Sequence, residues 1–453
     1  MFNDRYHHTN AVIEERKTRA TQIMAGIDFP VNMVMGRVLP DKDGKIYAVA
    51  NGENIIVKLI KKILGKLIRL LYRLVYRFIP CDDHTILFIS FHGRGYTDNP
   101  KALHQYITDH KEYTSYRCIY AIKHHKEKNL TIPNAKIIEY FSIPYFFYLA
   151  RSKYWISNCK LPKYVLKKDN QVYLQTWHGT PLKKLAHDIE VPEGTTFYRS
   201  GMSVEEMRAT YDNDASKYNY MISPSAFTTE VFQTSFRINK ERLIETGYPR
   251  NDILSNYTKE DVETIKNRMH LPLDKKILLY APTWRDNSFN MKGYTFKLEV
   301  DFKKWQDALS DEYVVVFKPH YLIVNDFNLD EVKDFVYYVD PQEDIADLYL
   351  IADALVTDYS SVFFDYAILK RPIYFYMYDL ENYRDELRGF YLDIYKDLPG
   401  EVITDENTLL QKIHTHDFDY DRLTGFNERF NNHEDGQASK RVIDILLGEQ
   451  HGA

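Results

Sequence analysis

The chain has 453 residues, of which 44% are apolar and 27% charged, a composition typical of globular proteins and unlike that of disordered or fibrous ones. Its 59 basic and 64 acidic residues give a net charge of −5, which argues against a general nucleic-acid-binding protein. Three widely separated cysteines argue against a disulfide framework or a zinc site, and the first ten residues lack the apolar core of a secretory signal.

Residues 1–53 carry few features that predict a structure. The sequence DKDG at residues 41–44 stands between two apolar stretches and predicts a small hairpin or loop. A calcium-binding loop starting at Asp41 would need a glutamate at its twelfth position, where Gly52 stands, so we interpret the segment as a plain turn. We assign residues 1–53 to an N-terminal appendage without a predicted role.

Residues 54–80 are predicted to contain a basic amphipathic helix. Its cations recur every three or four residues and so share one helical stripe, while most other positions are Ile, Leu, Val, Tyr or Phe. The cations of this stripe are Lys58, Lys62, Lys66, Arg69, Arg73 and Arg77. A bilayer-spanning helix is disfavoured because each charge near the hydrocarbon centre costs roughly 2.5–3.5 kcal/mol.

A helix lying in the membrane interface fits this segment better, because each basic residue beside anionic lipid contributes about 1 kcal/mol. The alternative is a helix packed on the protein with a solvated basic face. So wide an apolar face would then need a large receiving surface.

From Thr85 onward, short apolar segments alternate with segments of helical length. The first series comprises residues 85–91, 118–122, 136–140, 154–157, 172–176 and 220–223. The second comprises residues 276–280, 313–317, 336–339, 354–357 and 372–376. Continuous apolar strands in such alternation predict an α/β protein whose parallel sheets are covered on both faces. We expect two Rossmann-like domains, residues 81–240 and 241–410, with a cleft between them and C-terminal helices in residues 411–453.

The segment QTWHGTPLKKL at residues 175–185 follows a predicted strand and contains a sharp glycine turn. A histidine there, His178, would stand at the carboxyl end of a strand and is the one neutral-pH base that the segment offers. Gly179 would let the backbone approach a ligand, and a helix start at Pro181 would leave amides suited to an anion. The substrate contacts predicted here are Trp177, Gly179, Thr180 and Pro181. The alternative is a buried histidine satisfied by a backbone carbonyl.

Four other predicted strand ends are followed by polar groups suited to a nucleoside diphosphate. The residues concerned are Arg250, Pro282 and Thr283, Lys318, Pro319 and His320, and Ser360, Ser361 and Asp365. Serine hydroxyls and free amides at a helix start form a phosphate cradle, and arginine offers a permanent cation with matching geometry. The alternatives are a core histidine for His320, an ordinary cap for the two serines, a surface ion pair for Arg250 and a solvated acid for Asp365.

The metal content expected from the sequence is none. No Asp-x-Asp motif follows a predicted strand, and neither His178 nor His320 stands in the paired carboxylate context of a metal site. We therefore expect chemistry without a metal or another cofactor.

Together these motifs resemble the CDP-glycerol glycerophosphotransferase family, the poly(glycerol-phosphate) and poly(ribitol-phosphate) transferases of bacterial teichoic acid and capsule assembly. The matching stretches, in order, are YTDNPKAL, YWISN, QTWHGTPLKKL, TGYPRNDIL, YAPTWRD, FKPH and TDYSSVFFDYAILKRPIYFY. They span roughly residues 85–400. The loop at residues 92–96 departs from the family pattern.

The resemblance implies a GT-B-type fold docked on the inner membrane face. It also implies a CDP-glycerol or CDP-ribitol donor, a lipid-diphosphate-linked saccharide acceptor and release of CMP. His178 matches the family's catalytic histidine and would take the acceptor's proton, while His320 would bind the donor phosphate or assist the leaving group. A homo-oligomer is compatible with the sequence. The other functions considered are a GT-B glycosyltransferase that uses a nucleotide-sugar and a non-catalytic membrane adaptor.

Overall fold

The structure, a computed structural model, describes a defined part of the chain. The described residues are 38–40, 46–48, 55–127, 129–190, 196–197, 202–283, 289–290, 293–294, 299–319, 329–340, 343–380 and 389–448. Side chains are described from Ile63 onward, apart from the short pairs at 196–197, 289–290 and 293–294. The chain separates into two compact units, one formed by Met1–Lys58 with Pro192–Glu206 and the other by Leu59–Val191 with Met207–Ala453.

Strands and helices alternate along the described chain. The strands are β1 (Val38–Pro40), β2 (Ile46–Ala48), β3 (Asp82–Ile89), β4 (Arg117–Ile122), β5 (Ala135–Glu139), β6 (Ser152–Ser157), β7 (Val172–Gln175), β8 (Thr196–Phe197), β9 (Met202–Ser203), β10 (Tyr220–Ser223), β11 (Leu243–Glu245), β12 (Lys276–Ala281), β13 (Phe289–Asn290), β14 (Gly293–Tyr294), β15 (Tyr313–Phe317), β16 (Val336–Tyr338), β17 (Ala354–Thr357), β18 (Ile373–Tyr376) and β19 (Val402–Ile403). The helices are α1 (Ile55–Val75), α2 (Asp98–Asp109), α3 (Ile143–Arg151), α4 (Val204–Ala215), α5 (Ala226–Ser235), α6 (Asp252–Asn256), α7 (Lys259–Arg268), α8 (Phe302–Leu309), α9 (Ile345–Ile351), α10 (Val362–Tyr366), α11 (Glu406–His414), α12 (Tyr420–Phe430) and α13 (Ala438–Leu447).

In the smaller unit, β1 pairs antiparallel with β2 and β8 pairs antiparallel with β9. The first pair flanks residues 41–44, where the sequence predicts a hairpin or loop.

The larger unit contains a first sheet of seven strands in the order β11-β10-β7-β6-β3-β4-β5, and every pairing in it is parallel. Along β3, Ile86 and Phe88 pack into a different core cluster from Leu87 and Ile89. Successive strand residues point to opposite faces, so both faces of the sheet are covered. Strand β11 extends this sheet past the domain boundary expected at residue 240, whose position stays a prediction.

The second sheet of the larger unit has six parallel strands in the order β16-β15-β12-β17-β18-β19. Ile277 and Leu279 of β12 pack on one face, and Leu278 and Tyr280 pack on the other. The prediction of an α/β protein with two parallel-sheet domains is therefore confirmed.

The last helix, α13, follows the second sheet in sequence but packs on the first. Val442 and Ile443 belong to the same buried cluster as Ile86 and Phe88. The carboxylate of Asp252 accepts hydrogen bonds from the first amides of α13, those of Ala438 and Ser439, at 2.8 Å each. Helix α13 therefore packs on the first sheet through its apolar residues, while its first turn is bonded to α6.

Candidate active site

The loop that follows β7 carries the QTWHGTPLKKL segment and has an unusual backbone. Trp177 has φ +51° and Gly179 has φ +154°. The Trp177 amide donates to Gln175 Oε1 at 3.0 Å, and the indole is buried, with its ring centroid 4.8 Å from that of Phe236. Because Trp177 also stacks on the His178 imidazole, with ring centroids 4.3 Å apart, it fixes the plane of that ring.

The His178 ring has one nitrogen in use within the protein. Its Nδ1 lies 2.7 Å from the carbonyl oxygen of Asn158. A carbonyl oxygen can only accept, so Nδ1 carries a proton and the lone pair of the neutral ring is on Nε2. A hydrogen bond to a backbone carbonyl, as expected of a purely structural histidine, is thus present. The His178 ring is nevertheless exposed to solvent.

The pKa of His178 lies below its usual range. Desolvation by the protein around the ring is the main cause, and the nearby positive charge of Arg250 acts in the same direction. The bond to Asn158 and the negative charge of Asp98 act in the opposite direction. Although solvent reaches the ring, the surrounding protein favours the neutral form, in which Nε2 can accept a proton.

The turn at Gly179 meets two other predicted site residues. A methyl group placed on its Cα would lie 3.6 Å from Ser361 Oγ and 3.7 Å from Arg250 Nη2. The structure therefore brings the loop after β7 in the first domain against Ser361, which immediately precedes α10 in the second.

Replacing Gly179 with alanine should destabilise the protein. The added methyl group has room, but φ +154° is a conformation that residues with a side chain rarely adopt, so the free energy of unfolding should fall by about 1–3 kcal/mol. Urea denaturation measures this. Gly425→Ala is the matched control, because nothing lies within 4 Å of its Cβ position inside α12 and alanine favours a helix there. Equal effects of the two changes would contradict the prediction.

Arg250 lies between two carboxylates. Its Nη1 is 3.3 Å from both carboxylate oxygens of Asp98, and its Nη2 is 2.8 Å from Asp365 Oδ2. All three side chains are nearly buried, with 14% of Arg250, 8% of Asp98 and 9% of Asp365 exposed. The alternatives of a surface ion pair and a solvated acid are therefore wrong. Binding of a diphosphate by Arg250 stays a prediction. In this structure the charge of Arg250 is shared by the carboxylates of Asp98 and Asp365.

Neighbouring polar groups complete this network. Asn251 Nδ2 donates to Asp365 Oδ1 at 3.1 Å, and Asn99 Oδ1 accepts from the Arg250 amide at 3.1 Å. Burial raises the pKa of Asp365, while Arg250 and Asn251 oppose this rise.

The ends of β12 and β17 lie side by side and bring further predicted residues together. The buried Thr283 donates its amide to Asp358 Oδ1 at 2.8 Å, and Pro282 beside it is also buried. Ser360 is half-buried and Ser361 is exposed, just before α10. Because α10 has only five residues, the helix dipole there is small.

The end of β15 is described only as far as Pro319, which is buried. Burial lowers the pKa of Lys318 to about 8, and its Nζ donates to the carbonyl oxygen of Asp340 at 3.2 Å. His320 lies outside the described residues, and its predicted role stays a prediction. No three His, Cys, Asp or Glu side chains in the described ranges are grouped to hold a metal ion.

The helix start predicted at Pro181 is wrong. Lys183 forms an antiparallel bridge with Phe390, and the amides of Lys184 and Tyr391 donate to Gly389 and Leu182 at 3.1 and 2.9 Å. Since this segment pairs with a distant part of the chain, Pro181 does not present the amides of a helix start. Thr180 is buried beside it.

Asp98, Asn99 and Asn158 were not among the predicted site residues. Asn99 Nδ2 donates to the carbonyl oxygens of Thr176 and Trp177 at 3.3 and 3.2 Å, so it supports the loop that carries His178. The sequence did point to these three residues, because they lie in YTDNPKAL and YWISN, two of the stretches that carry the family resemblance.

Comparison with known proteins agrees with these features. A family model described as CDP-glycerol:poly(glycerophosphate) glycerophosphotransferase matches residues 70–448. The teichoic acid poly(glycerol phosphate) polymerase of Bacillus spizizenii is 41% identical over 374 residues, which make up 82% of this chain and 93% of that protein. The teichoic acid glycerol-phosphate transferase of Staphylococcus aureus is 41% identical over 369 residues, 80% of this chain and 92% of that protein.

The fold is also similar to a solved structure. The wall teichoic acid polymerase TagF superposes with a TM-score of 0.79 and 36% identity, over 87% of this chain and 95% of that chain. The family match covers most of the sequence, and both parallel-sheet domains have their counterpart in a family relative. The chain therefore belongs to the CDP-glycerol:poly(glycerophosphate) glycerophosphotransferase family.

Proposed function

We propose that this protein transfers glycerol phosphate from CDP-glycerol to a hydroxyl group of a lipid-linked saccharide or growing polyol-phosphate chain, with release of CMP. Family membership and the two relatives named for glycerol phosphate support the donor. The observation that carries the proposal is the exposed His178 ring. Its Nδ1 is held by the Asn158 carbonyl, and its loop contacts Arg250 and Ser361.

In the proposed reaction, the acceptor oxygen forms a bond to the donor phosphorus that bears glycerol. The bond from this phosphorus to the CMP oxygen breaks in line, and His178 Nε2 takes the proton of the attacking hydroxyl. Positioning and charge stabilisation supply most of the catalysis in such transfers. A well-placed base contributes about 10²- to 10⁴-fold.

The remaining predicted residues are assigned to the donor. We infer that Ser360, Ser361 and Arg250 hold the diphosphate, while Pro282, Thr283 and Asp365 line its site. Lys318, Pro319 and His320 would lie near the phosphate that leaves with CMP. The proximity of Gly179 to Ser361 Oγ and Arg250 supports a donor held next to His178.

The arrangement of α1 supports membrane docking. Gly65 packs beside Phe141, and Tyr72 is buried and donates its hydroxyl to the Leu166 carbonyl at 2.8 Å. The leucines of the opposite face point away from the protein, at 53% to 63% exposure: Leu64, Leu67, Leu70, Leu71 and Leu74. Among the described residues this apolar face stays exposed, which favours a membrane interface over the alternative of a packed helix.

The cations of α1, and Arg77 just after its end, flank this apolar face. Lys66, Arg73 and Arg77 are exposed, while Arg69 lies over the rings of Phe141 and Tyr164 at 5.9 and 5.4 Å and so contributes to packing. The side chains of Lys58 and Lys62 lie outside the described part. In the described chain, no helix is long and apolar enough to cross a bilayer. We propose peripheral binding to the cytoplasmic membrane face.

Replacing Lys66, Arg73 and Arg77 together with glutamine should weaken binding to anionic vesicles by roughly 100-fold, because each cation near the surface contributes about 1 kcal/mol. Vesicle sedimentation at low salt measures the partitioning. The matched control replaces three exposed lysines of the second domain, Lys259, Lys303 and Lys333, with glutamine. If both triple variants sediment like the unchanged protein, the helix is not the membrane contact.

The transfer reaction itself is tested by incubation with CDP-glycerol or CDP-ribitol and a synthetic lipid-linked disaccharide. We expect CMP release with CDP-glycerol and a product mass increased by one or more glycerol-phosphate units. A product that gains ribitol phosphate would correct the donor. Addition of a sugar without phosphate from a nucleotide-sugar donor, or no release of CMP with either CDP-polyol, would overturn the proposal.

A further inference from the structure

Lysine, arginine and histidine side chains follow four neighbouring strands of the first sheet. In the order of the sheet, His178 follows β7, Lys160 follows β6, His92 and Arg94 follow β3, and Lys123 follows β4. Parallel strands end at one edge of a sheet and neighbouring strands are roughly 4.8 Å apart. These side chains therefore form a row that begins beside the proposed base and leads away from it.

The middle of the row is built around the loop after β3, the one stretch that departs from the family pattern. Phe91, His92 and Gly93 have φ values of +43°, +57° and +82°. The Phe91 amide donates to Asn158 Oδ1 at 2.8 Å, and the Phe91 ring meets the His178 ring edge-on at 5.6 Å. This loop is thus attached directly to the residues that hold His178.

Lys123 is held against the same loop. Its amide donates to the Gly93 carbonyl at 2.7 Å, and its Nζ lies 5.0 Å from the centre of the Tyr140 ring. The backbone of Gly93 packs so closely on Tyr140 that a methyl group on its Cα would lie 2.8 Å from Tyr140 Cβ. The position of Lys123 is therefore fixed by packing.

Lys160, which follows β6, is also held in place by contacts of its side chain. Its Nζ donates to Thr210 Oγ1 at 2.9 Å and lies 3.3 Å from the centre of the Tyr211 ring. Burial lowers the pKa of Lys160 to about 8, and the negative charge of Asp214 opposes this fall. Asp214 is fully buried and accepts a hydrogen bond from Tyr218 at 2.6 Å.

The charges of this row act together on His92. Burial, together with the positive charges of Lys123, Arg94 and Lys160, lowers the pKa of His92 to about 4. His92 is therefore neutral at pH 7, and the row concentrates positive charge that suits an anionic ligand.

An unpaired donor lies at the centre of the row. Asn158 is fully buried and links the three strand ends, because its carbonyl accepts from His178 and its Oδ1 accepts from Phe91. Its Nδ2 has no hydrogen-bond partner in the described part of the chain. Buried amides of this kind are nearly always satisfied, so the orphan donor points to a missing acceptor such as a phosphate oxygen or a water held by it.

We propose that Arg94, Lys123 and Lys160 form a binding track for phosphate groups of the acceptor, which places its terminal hydroxyl at His178. This inference rests on the proposed transfer reaction and adds its acceptor-binding residues. The phosphate groups come either from glycerol-phosphate units already added or from the lipid diphosphate. The three cations would not increase the affinity for an uncharged acceptor.

The test replaces Arg94 and Lys123 with glutamine, because Lys160 also packs on Tyr211. We expect the KM for an acceptor that carries several glycerol-phosphate units to rise about 10-fold. The KM for CDP-glycerol and the rate at saturating acceptor should stay unchanged. The control variant replaces the exposed Lys126 and Lys163 of the same domain with glutamine and should behave like the unchanged protein.

Two acceptors separate the sources of phosphate. If the KM rises only for the acceptor that carries glycerol phosphate, the track binds the growing chain. If it rises equally for a lipid-linked disaccharide without glycerol phosphate, the track binds the lipid diphosphate. An unchanged KM for both acceptors, or equal losses in the control variant, would overturn the proposal.

A binding measurement tests the track independently of turnover. Calorimetric titration with a synthetic glycerol-phosphate hexamer should show affinity that falls about 10-fold in the Arg94→Gln, Lys123→Gln variant and falls with added salt, whereas a neutral glycerol oligomer should bind neither protein. Absence of CMP release by the unchanged protein would refute the proposed function, and the titration would still decide on the track. Equal hexamer affinity of both proteins would exclude the growing chain as the ligand, and together with an unchanged KM for the lipid-linked disaccharide it would overturn the track.

Discussion

Replacing His178 with alanine should lower the rate of CMP release from CDP-glycerol by about 10²- to 10⁴-fold, the usual contribution of a positioned general base. The reason lies in the ring's geometry, since the Asn158 carbonyl holds the proton on Nδ1 and leaves the lone pair on Nε2. CMP release under saturating donor and acceptor measures the effect. Thermal unfolding should change little, because the ring is exposed to solvent.

The control for this prediction is His414→Ala, which removes an exposed histidine at the end of α11 and should leave CMP release unchanged. Near-normal turnover of the His178 variant would remove this residue from the mechanism. The pH profile gives a second readout. Because desolvation by the surrounding protein lowers the pKa of His178, the neutral base persists below pH 6.5, and kcat/KM should fall only as the pH drops through that lowered value. An acid limb centred above pH 6.5 would identify another group.

Replacing Arg250 with alanine should lower the free energy of unfolding by about 3–5 kcal/mol, because it leaves the nearly buried carboxylates of Asp98 and Asp365 without their shared cation. Because these carboxylates belong to different parts of the larger unit, their repulsion would also disturb the contact of Gly179 with Ser361. Urea denaturation measures the loss of stability.

Arg268→Ala is the matched control, because Arg268 also pairs with two carboxylates, those of Glu343 and Asp347, but is 51% exposed. Exposed ion pairs contribute about 0–1 kcal/mol, so this change should have a small effect. A further variant, Arg250→Met with Asp98→Asn and Asp365→Asn, should recover much of the stability. If Arg250→Ala costs no more than Arg268→Ala, the buried network does not stabilise the fold.

Much of the fold could be predicted from the sequence because its signals are local. Continuous apolar segments such as residues 276–280 and 313–317 need burial on both faces, and only a parallel sheet covered by helices provides it. His178 could be placed at a strand end for the same reason, since the apolar segment stops and a glycine turn follows within four residues. The amphipathic stripe of α1 is likewise a property of residue spacing.

Two short edge strands, β11 and β19, gave no such signal. Strands β11 and β19 have three and two residues, too few for a periodic pattern, and each forms only because a neighbouring strand offers it hydrogen bonds. The prediction of a helix start at Pro181 was wrong for a related reason. The pairing of residues 182–184 with residues 389–391 prevails over the local preference of proline for a first helical turn.

Local residue patterns are enough to predict the strand content, the histidine in its glycine turn and the family motifs, because each depends on residues a few positions apart. Which charges meet depends on the packing of the folded chain. Arg250 pairs with the carboxylate of Asp98, 152 positions away, and with that of Asp365, 115 positions away. The carbonyl of Asn158, 20 positions upstream, fixes the tautomer of His178. Such pairings are set by how two sheets and their connecting loops pack, and the spacing of residues along the chain carries no record of that packing.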